Sequence, residues 1–106
     1  MITDEEAEKA NDYIKLNARH FADARAQHIY LKNFRKSRRS MLYNEAPAGS
    51  NNDKLAWAES HEQYLEVLLG LKEAVFKEEK LRWEMTAAQA KIEMYRTQQA
   101  NMRQGI

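Results

Sequence analysis

From Met1 to Ala46 the chain contains no proline and no glycine, and beyond Pro47 and Gly49 only Gly70 appears before Gly105. Proline fixes φ and removes a backbone donor, and glycine costs about 1 kcal/mol in a helix interior, so these residues punctuate helices. Two long uninterrupted stretches around one turn-rich cluster therefore specify an all-α chain. With 106 residues, three glycines, one proline and no cysteine, a turn-rich β fold and a disulfide scaffold are both excluded. Thr3 with Glu6 reads as a capping box, and Asp4, Glu5 and Glu6 suit the positive end of a helix dipole. The first helix is expected from about residue 4 to 44, with a loop over 45–52. A second helical stretch is expected from about 53 to 103, restarting near 60, where Ser60 and Gln63 offer another capping box. The whole is read as one helical domain.

The second helix carries the stronger pattern. Tyr64, Val67, Leu71, Ala74, Glu78, Leu81, Met85, Ala88, Ile92, Tyr95, Gln99 and Met102 follow a 3-4 spacing, a coiled-coil-like seam in which only Glu78 and Gln99 are polar. The first helix offers a weaker seam at Tyr13, Leu16, His20, Ala24, Gln27, Leu31, Phe34, Arg38 and Met41. Pairing the two gives an antiparallel helical hairpin. A hairpin covers one stripe of each helix, yet Leu65, Leu69, Phe76, Trp83, Ala87 and Met94 form a second apolar line about 100–140° from Tyr64. Leaving the large side chains of that line in water forfeits roughly 1.5–3 kcal/mol each. Self-association into a coiled-coil-like helical oligomer is therefore expected, the alternative being a first helix that folds back in two pieces and covers both lines. Gly70 is read as a site of close helix approach.

Charge is distributed unevenly. Between Asp23 and Glu45 there is no acid, yet Arg25, Lys32, Arg35, Lys36, Arg38 and Arg39 lie there with His28. Residues 1–23 hold three basic and six acidic side chains, and residues 45–106 hold eight and ten, so the overall charge of +1 conceals a segment of +6. At 100° per residue Arg25, His28, Lys32, Arg35, Lys36 and Arg39 share one stripe about 100° wide, with Tyr43 on it. Like charges packed together repel, so such a stripe suits a polyanion, and nucleic acid is the expected one. Acids of the second helix, such as Glu59, Glu62 and Glu66, or an acidic lipid surface are the other matches. Tyr43 is the candidate for stacking on a base; Tyr30 and Phe34 border the opposite face. The expected nucleic-acid-binding residues are thus Arg25, His28, Lys32, Arg35, Lys36, Arg38, Arg39 and Tyr43. About five phosphates of a single strand would give a log–log salt slope near −3.5.

Catalysis has little support in the sequence. His20, His28 and His61 lack helical metal spacing, and no phosphate-cradle, nucleophile-elbow or dinucleotide pattern occurs. No catalytic residue, metal or cofactor is expected. The acidic start, Thr3 to Glu8, is unlike a signal peptide, no run is apolar enough to span a bilayer, and a cysteine-free chain fits the cytoplasm.

Residues 79–103 resemble the C-terminal ends of small helical proteins encoded by tailed phages. Lys32–Arg39, Leu42-Tyr43, the polar stretch Ala46–Asn52 and the apolar helix from Tyr64 also reproduce, over residues 20–103, the layout of UvsY-type recombination mediators. That resemblance implies a helical oligomer that binds single-stranded DNA, displaces single-strand binding protein and helps load a RecA-like recombinase. Lys36 and Arg39 match the basic residues preceding the family's tyrosine; Arg35 and Arg38 join them on charge alone. The chain is shorter than the family's usual length. The expectation is a non-catalytic, sequence-independent single-stranded DNA-binding accessory factor. The rivals are a small phage protein that inhibits or modulates a host protein, and a structural coiled-coil or virion assembly component.

Overall fold

A computed structural model describes residues Met1–Gly105, and the chain is all-α: α1 spans Asp4–Glu45, α2 Asn51–Ser60 and α3 Glu62–Gln104. Thr3 caps α1, its Oγ1 accepting the Glu6 amide at 3.1 Å. Pro47 disfavours helical backbone at Ala46, and α1 ends one residue earlier. Ser50 caps α2 through a reciprocal capping box with Asp53, so α2 begins at Asn51 rather than at the expected 53. The chain does restart near 60, but not through Ser60. The Ser60 hydroxyl donates back to the carbonyls of Ala56 and Trp57, while His61 is extended (φ −68°, ψ 141°) and its Nδ1 accepts the Gln63 amide at 3.1 Å. His61, not Ser60, caps α3.

The chain forms two compact units, in each of which α1 and α3 run antiparallel. The first comprises Met1–Asp23 and the chain from Glu79 onward. Ala10 and Ala88 are buried there, with Tyr13, Ile14, Asn17, Phe21, Leu81, Met85, Ile92 and Tyr95 half-buried around them. Polar contacts flank this seam: Tyr13 donates to Glu84, Tyr95 to Asp4, and the Ile2 amide to Gln98 Oε1 at 3.1 Å. The Arg82 guanidinium lies 5.8 Å from the Phe21 ring centre.

The second unit, Ala24–Glu78, contains the loop and all of α2. Its best-packed region joins Leu42, Ala58 and Tyr64, with Tyr43, Trp57 and Leu68 against them. Val67 and Ala74 of α3 and Ala24 of α1 continue the buried row, which ends on Glu78, only 3 % exposed. A Cβ on Gly70 would meet Leu31 Cδ1 at 3.8 Å, an ordinary contact. Close approach therefore does not explain that glycine.

The α3 seam is seen as expected: every position from Tyr64 to Gln99 is buried or half-buried, and only Met102 is exposed. The α1 seam is displaced. Burial follows Ala7, Ala10, Ile14, Asn17, Phe21, Ala24, His28, Leu31, Arg35, Arg38 and Leu42, a strict 3-4 repeat. Ala24, Leu31 and Arg38 are shared with the expected row, whose Tyr13 and Phe34 are also half-buried, but Leu16, His20, Gln27 and Met41 face outward. The physical reason is periodicity. One unbroken 3-4 row stays aligned with α3 along the whole helix, whereas the row through Leu16 and Met41 departs from that alternation. Because α1 is a single helix, it does not fold back over the outer line of α3, and Leu65, Leu69, Phe76, Trp83, Ala87 and Met94 all remain exposed.

Candidate nucleic-acid interface

The basic segment lies wholly on α1 in the second unit, and the observed seam divides it. Arg25, Lys32 and Arg39 repeat every seven residues along one edge of the packed row, with Lys36 beside them; all four are exposed. His28, Arg35 and Arg38 fall in the packed row itself and are half-buried. The stripe expected to be continuous is thus an exposed edge plus three inward positions.

His28 is the clearest departure from a phosphate-facing role. Its Nδ1 pairs with the Glu78 carboxylate across the seam, the ring N–H donating and the carboxylate accepting. The Arg38 guanidinium carbon lies over the Phe34 ring, 5.1 Å from its centre, and its Nη1 donates to Gln63 Oε1 at 3.3 Å. Its Nε is the one buried side-chain nitrogen without a hydrogen-bond partner among the described residues. Arg39 meets Glu59 of α2 at 3.4 Å with both side chains about half-exposed, so this pair is worth little and opens readily. Tyr43 is engaged structurally: its hydroxyl donates to Asn51 Oδ1 at 2.5 Å, Lys54 stands 5.7 Å from its ring centre, and it packs against the Leu42 cluster. A base stacking on Tyr43 would have to displace Lys54. Tyr30 is exposed and stacks on Phe34 at 5.9 Å, away from the exposed basic edge.

Arg25, Lys32, Arg35 and Lys36 have no carboxylate within ion-pairing distance among the described residues. Acids across the unit offset part of the field, since residues 45–78 carry seven acidic and three basic side chains. Four uncompensated cations within twelve residues nevertheless remain. What sequence reasoning missed was the half-buried placement of His28, Arg35 and Arg38 and the contacts that His28 and Arg38 make there. The signal that would have found that placement is that Ala10, Ile14, Phe21, Ala24, Leu31 and Leu42 all fall on one 3-4 repeat, whose remaining members include positions 28, 35 and 38.

No group of three or more His, Cys, Asp or Glu side chains converges as a metal site among the described residues. None of the described helices is long and apolar enough to cross a membrane. No protein-family model, curated protein or solved structure matches this chain.

Proposed function

We propose that the second unit binds the phosphate backbone of single-stranded nucleic acid without reading its sequence, through Arg25, Lys32 and Lys36 on the exposed edge of α1 together with Arg35, which is half-buried in the packed row but has no acidic partner among the described residues. The observation that carries this reading is the set of four cations, spaced within one helix and lacking acidic partners. No acid stands three or four residues from any of them on α1, because residues 24–44 contain none and positions 21 and 22 are Phe and Ala. Arg39 adds to the edge once Glu59 releases it. His28 and Arg38 serve the fold, and Tyr43 serves the packing of α2. A backbone of evenly spaced phosphates meets such an edge by charge alone, so the complex has no base readout. The resemblance to UvsY-type mediators supports placing this activity in phage recombination or replication, beside single-strand binding protein and a RecA-like recombinase, in the cytoplasm of the host.

The test is fluorescence anisotropy of labelled oligo-dT, with a mixed-sequence duplex alongside, over a salt series. Four phosphates neutralised on a single strand give a log–log slope near −3, shallower than five cations would give. Lys32→Glu with Lys36→Glu is expected to abolish binding while the helical circular dichroism stays unchanged. Absence of binding at low salt by a folded protein would refute the proposal. One observation favours a second reading, a structural coiled-coil component: the outer apolar row of α3 is uncovered. Under that reading the lysine variants leave function intact, whereas Phe76→Lys removes it.

A further inference from the structure

The exposed apolar residues of α3 are not scattered. In the heptad whose a and d positions form the hairpin seam, Leu69, Phe76 and Trp83 all occupy f, almost diametrically opposite that seam. They are 62 %, 70 % and 66 % exposed. Solvent-facing f positions ordinarily carry polar side chains, so three large apolar residues seven apart mark a covered face. They lie about two turns apart on one helix, and helix geometry alone fixes their alignment.

The residues beside this row identify what covers it. On one side of it stand Lys72 and Glu79, on the other Glu73 and Lys80. A two-fold axis through Phe76, perpendicular to two antiparallel copies of α3, brings residue i of one copy near residue 152 − i of the other, a relation that follows from the sequence positions alone. Phe76 then meets its own equivalent and Leu69 lies beside Trp83. Lys72 faces Glu79 along one flank and Glu73 faces Lys80 along the other, each pair occurring twice. An isologous interface requires this kind of self-complementarity. Sliding one copy by a heptad in one direction sets Glu79 against Glu79 and Lys80 against Lys80. Sliding it the other way sets Lys72 against Lys72 and Glu73 against Glu73. Charge therefore selects a single register. Leu69, Lys72, Glu73 and Phe76 also bound a surface depression of about 290 Å³, an i, i+3, i+4, i+7 hole that offers a seat to an aromatic ring of the other copy.

In-register parallel pairing would set Lys72 beside Glu73 and Glu79 beside Lys80 instead, so a charge swap between positions 72 and 79 distinguishes the two orientations. We infer that the chain is a two-fold homodimer in which the f rows of two antiparallel α3 helices pack together, centred on Phe76 and pinned by Lys72–Glu79 and Glu73–Lys80 pairs.

Sedimentation equilibrium of the full chain tests this with four proteins. Wild type is expected to be dimeric and Phe76→Lys monomeric with unchanged helical circular dichroism. Lys72→Glu turns two attractive contacts repulsive and is expected to weaken dimerisation about tenfold. Adding Glu79→Lys restores the opposite-charge pair only in the antiparallel register, so the double variant should recover to within a few-fold of wild type. In a parallel pair the same swap opposes the acid introduced at position 72 to Glu73 and the base introduced at position 79 to Lys80, and association falls further. A monomeric wild type, or a double variant that dimerises no better than Lys72→Glu, overturns the inference. Oligo-dT binding by monomeric Phe76→Lys is read separately, because none of the cations of the basic edge is altered.

Discussion

Glu78 is the one strongly buried charged side chain in the seam of α3, and its pairing with His28 makes a quantitative prediction possible. A hydrogen bond to a charged group contributes about 1.5–3 kcal/mol, and the Glu78 carboxylate accepts one from His28 across the seam. Here the carboxylate side chain is 4 % exposed but the imidazole is 30 % exposed, so water reaches one side of the pair. His28→Leu should therefore cost about 1.5–2 kcal/mol, toward the low end of that range. Glu78→Leu has the opposite balance. It removes the desolvated charge and places an apolar side chain on the packed row, while the half-open His28 ring is left where water can hydrate it. That variant should be neutral or more stable by about 1 kcal/mol. In the Glu78→Leu background, His28→Leu breaks no contact to a carboxylate and should cost little, so the two substitutions couple by about 1–2 kcal/mol. The assay is urea unfolding followed by far-ultraviolet circular dichroism at one fixed protein concentration, since association adds to apparent stability. Single and double variants whose effects add to within about 0.5 kcal/mol would refute the reasoning, showing that Glu78 is hydrated in the native state.

Gly70 lies in α3 with room for a methyl group beside Leu31, so Gly70→Ala should stabilise the fold by about 1 kcal/mol, read as a raised urea midpoint at constant m. Ser50→Ala removes the side chain that accepts the Asp53 amide at the start of α2 and should cost about 1 kcal/mol in the same assay. The hydrogen bond from Tyr13 to the Glu84 carboxylate, and secondarily desolvation, raises the Tyr13 pKa above the usual phenol value near 10; Asp4 does the same to Tyr95. A folded-state pKa raised above its unfolded value gives stability that is complete below about pH 10 and lost as pH climbs through the raised value. Ultraviolet titration should accordingly show late-ionising tyrosines, one fewer in Tyr13→Phe, and a normal curve for all five would contradict the two contacts.

The two-helix architecture was legible because punctuation is local: Pro47 ends α1 and the turn residues clustered over 45–52 separate the two long stretches, although the Ser50–Asp53 box starts α2 two residues before the expected 53. The α3 seam was legible because large apolar residues occupy most of its a and d positions. The α1 seam was not, because its packed row mixes Ala7, Ala10 and Ala24 with Asn17, His28, Arg35 and Arg38, while Leu16, Ile29 and Met41 lie exposed. On this helix hydrophobicity misreports burial, since small and charged side chains fill a narrow interface and larger ones do not. The error carried over to the basic stripe. A shift of one residue turns a helix by about 100°, enough to move His28 and Arg35 from the exposed face to the packed one. The outer line of α3 was legible, and its exposure is what the arithmetic of two helices and three apolar stripes requires.

That arithmetic also bears on how the two faces can be used. Within the second unit, α1 carries the cations and α3 presents Leu69 and Phe76 at positions opposite the row that packs on α1. A partner seated on the outer row of α3 therefore leaves Arg25, Lys32 and Lys36 uncovered. Three large f-row side chains at roughly 1.5–3 kcal/mol each approach the whole net stability of about 5–15 kcal/mol typical of a domain. A hairpin this thin cannot offset that exposure from its own core, which in the second unit rests on Leu42, Ala58 and Tyr64. Covering the outer row by a second copy serves stability first, and it brings two basic edges into one particle. A polyanion that reaches both gains by effective concentration without any new contact. The same row that makes the lone hairpin marginal would then make two of them a better binder than either alone.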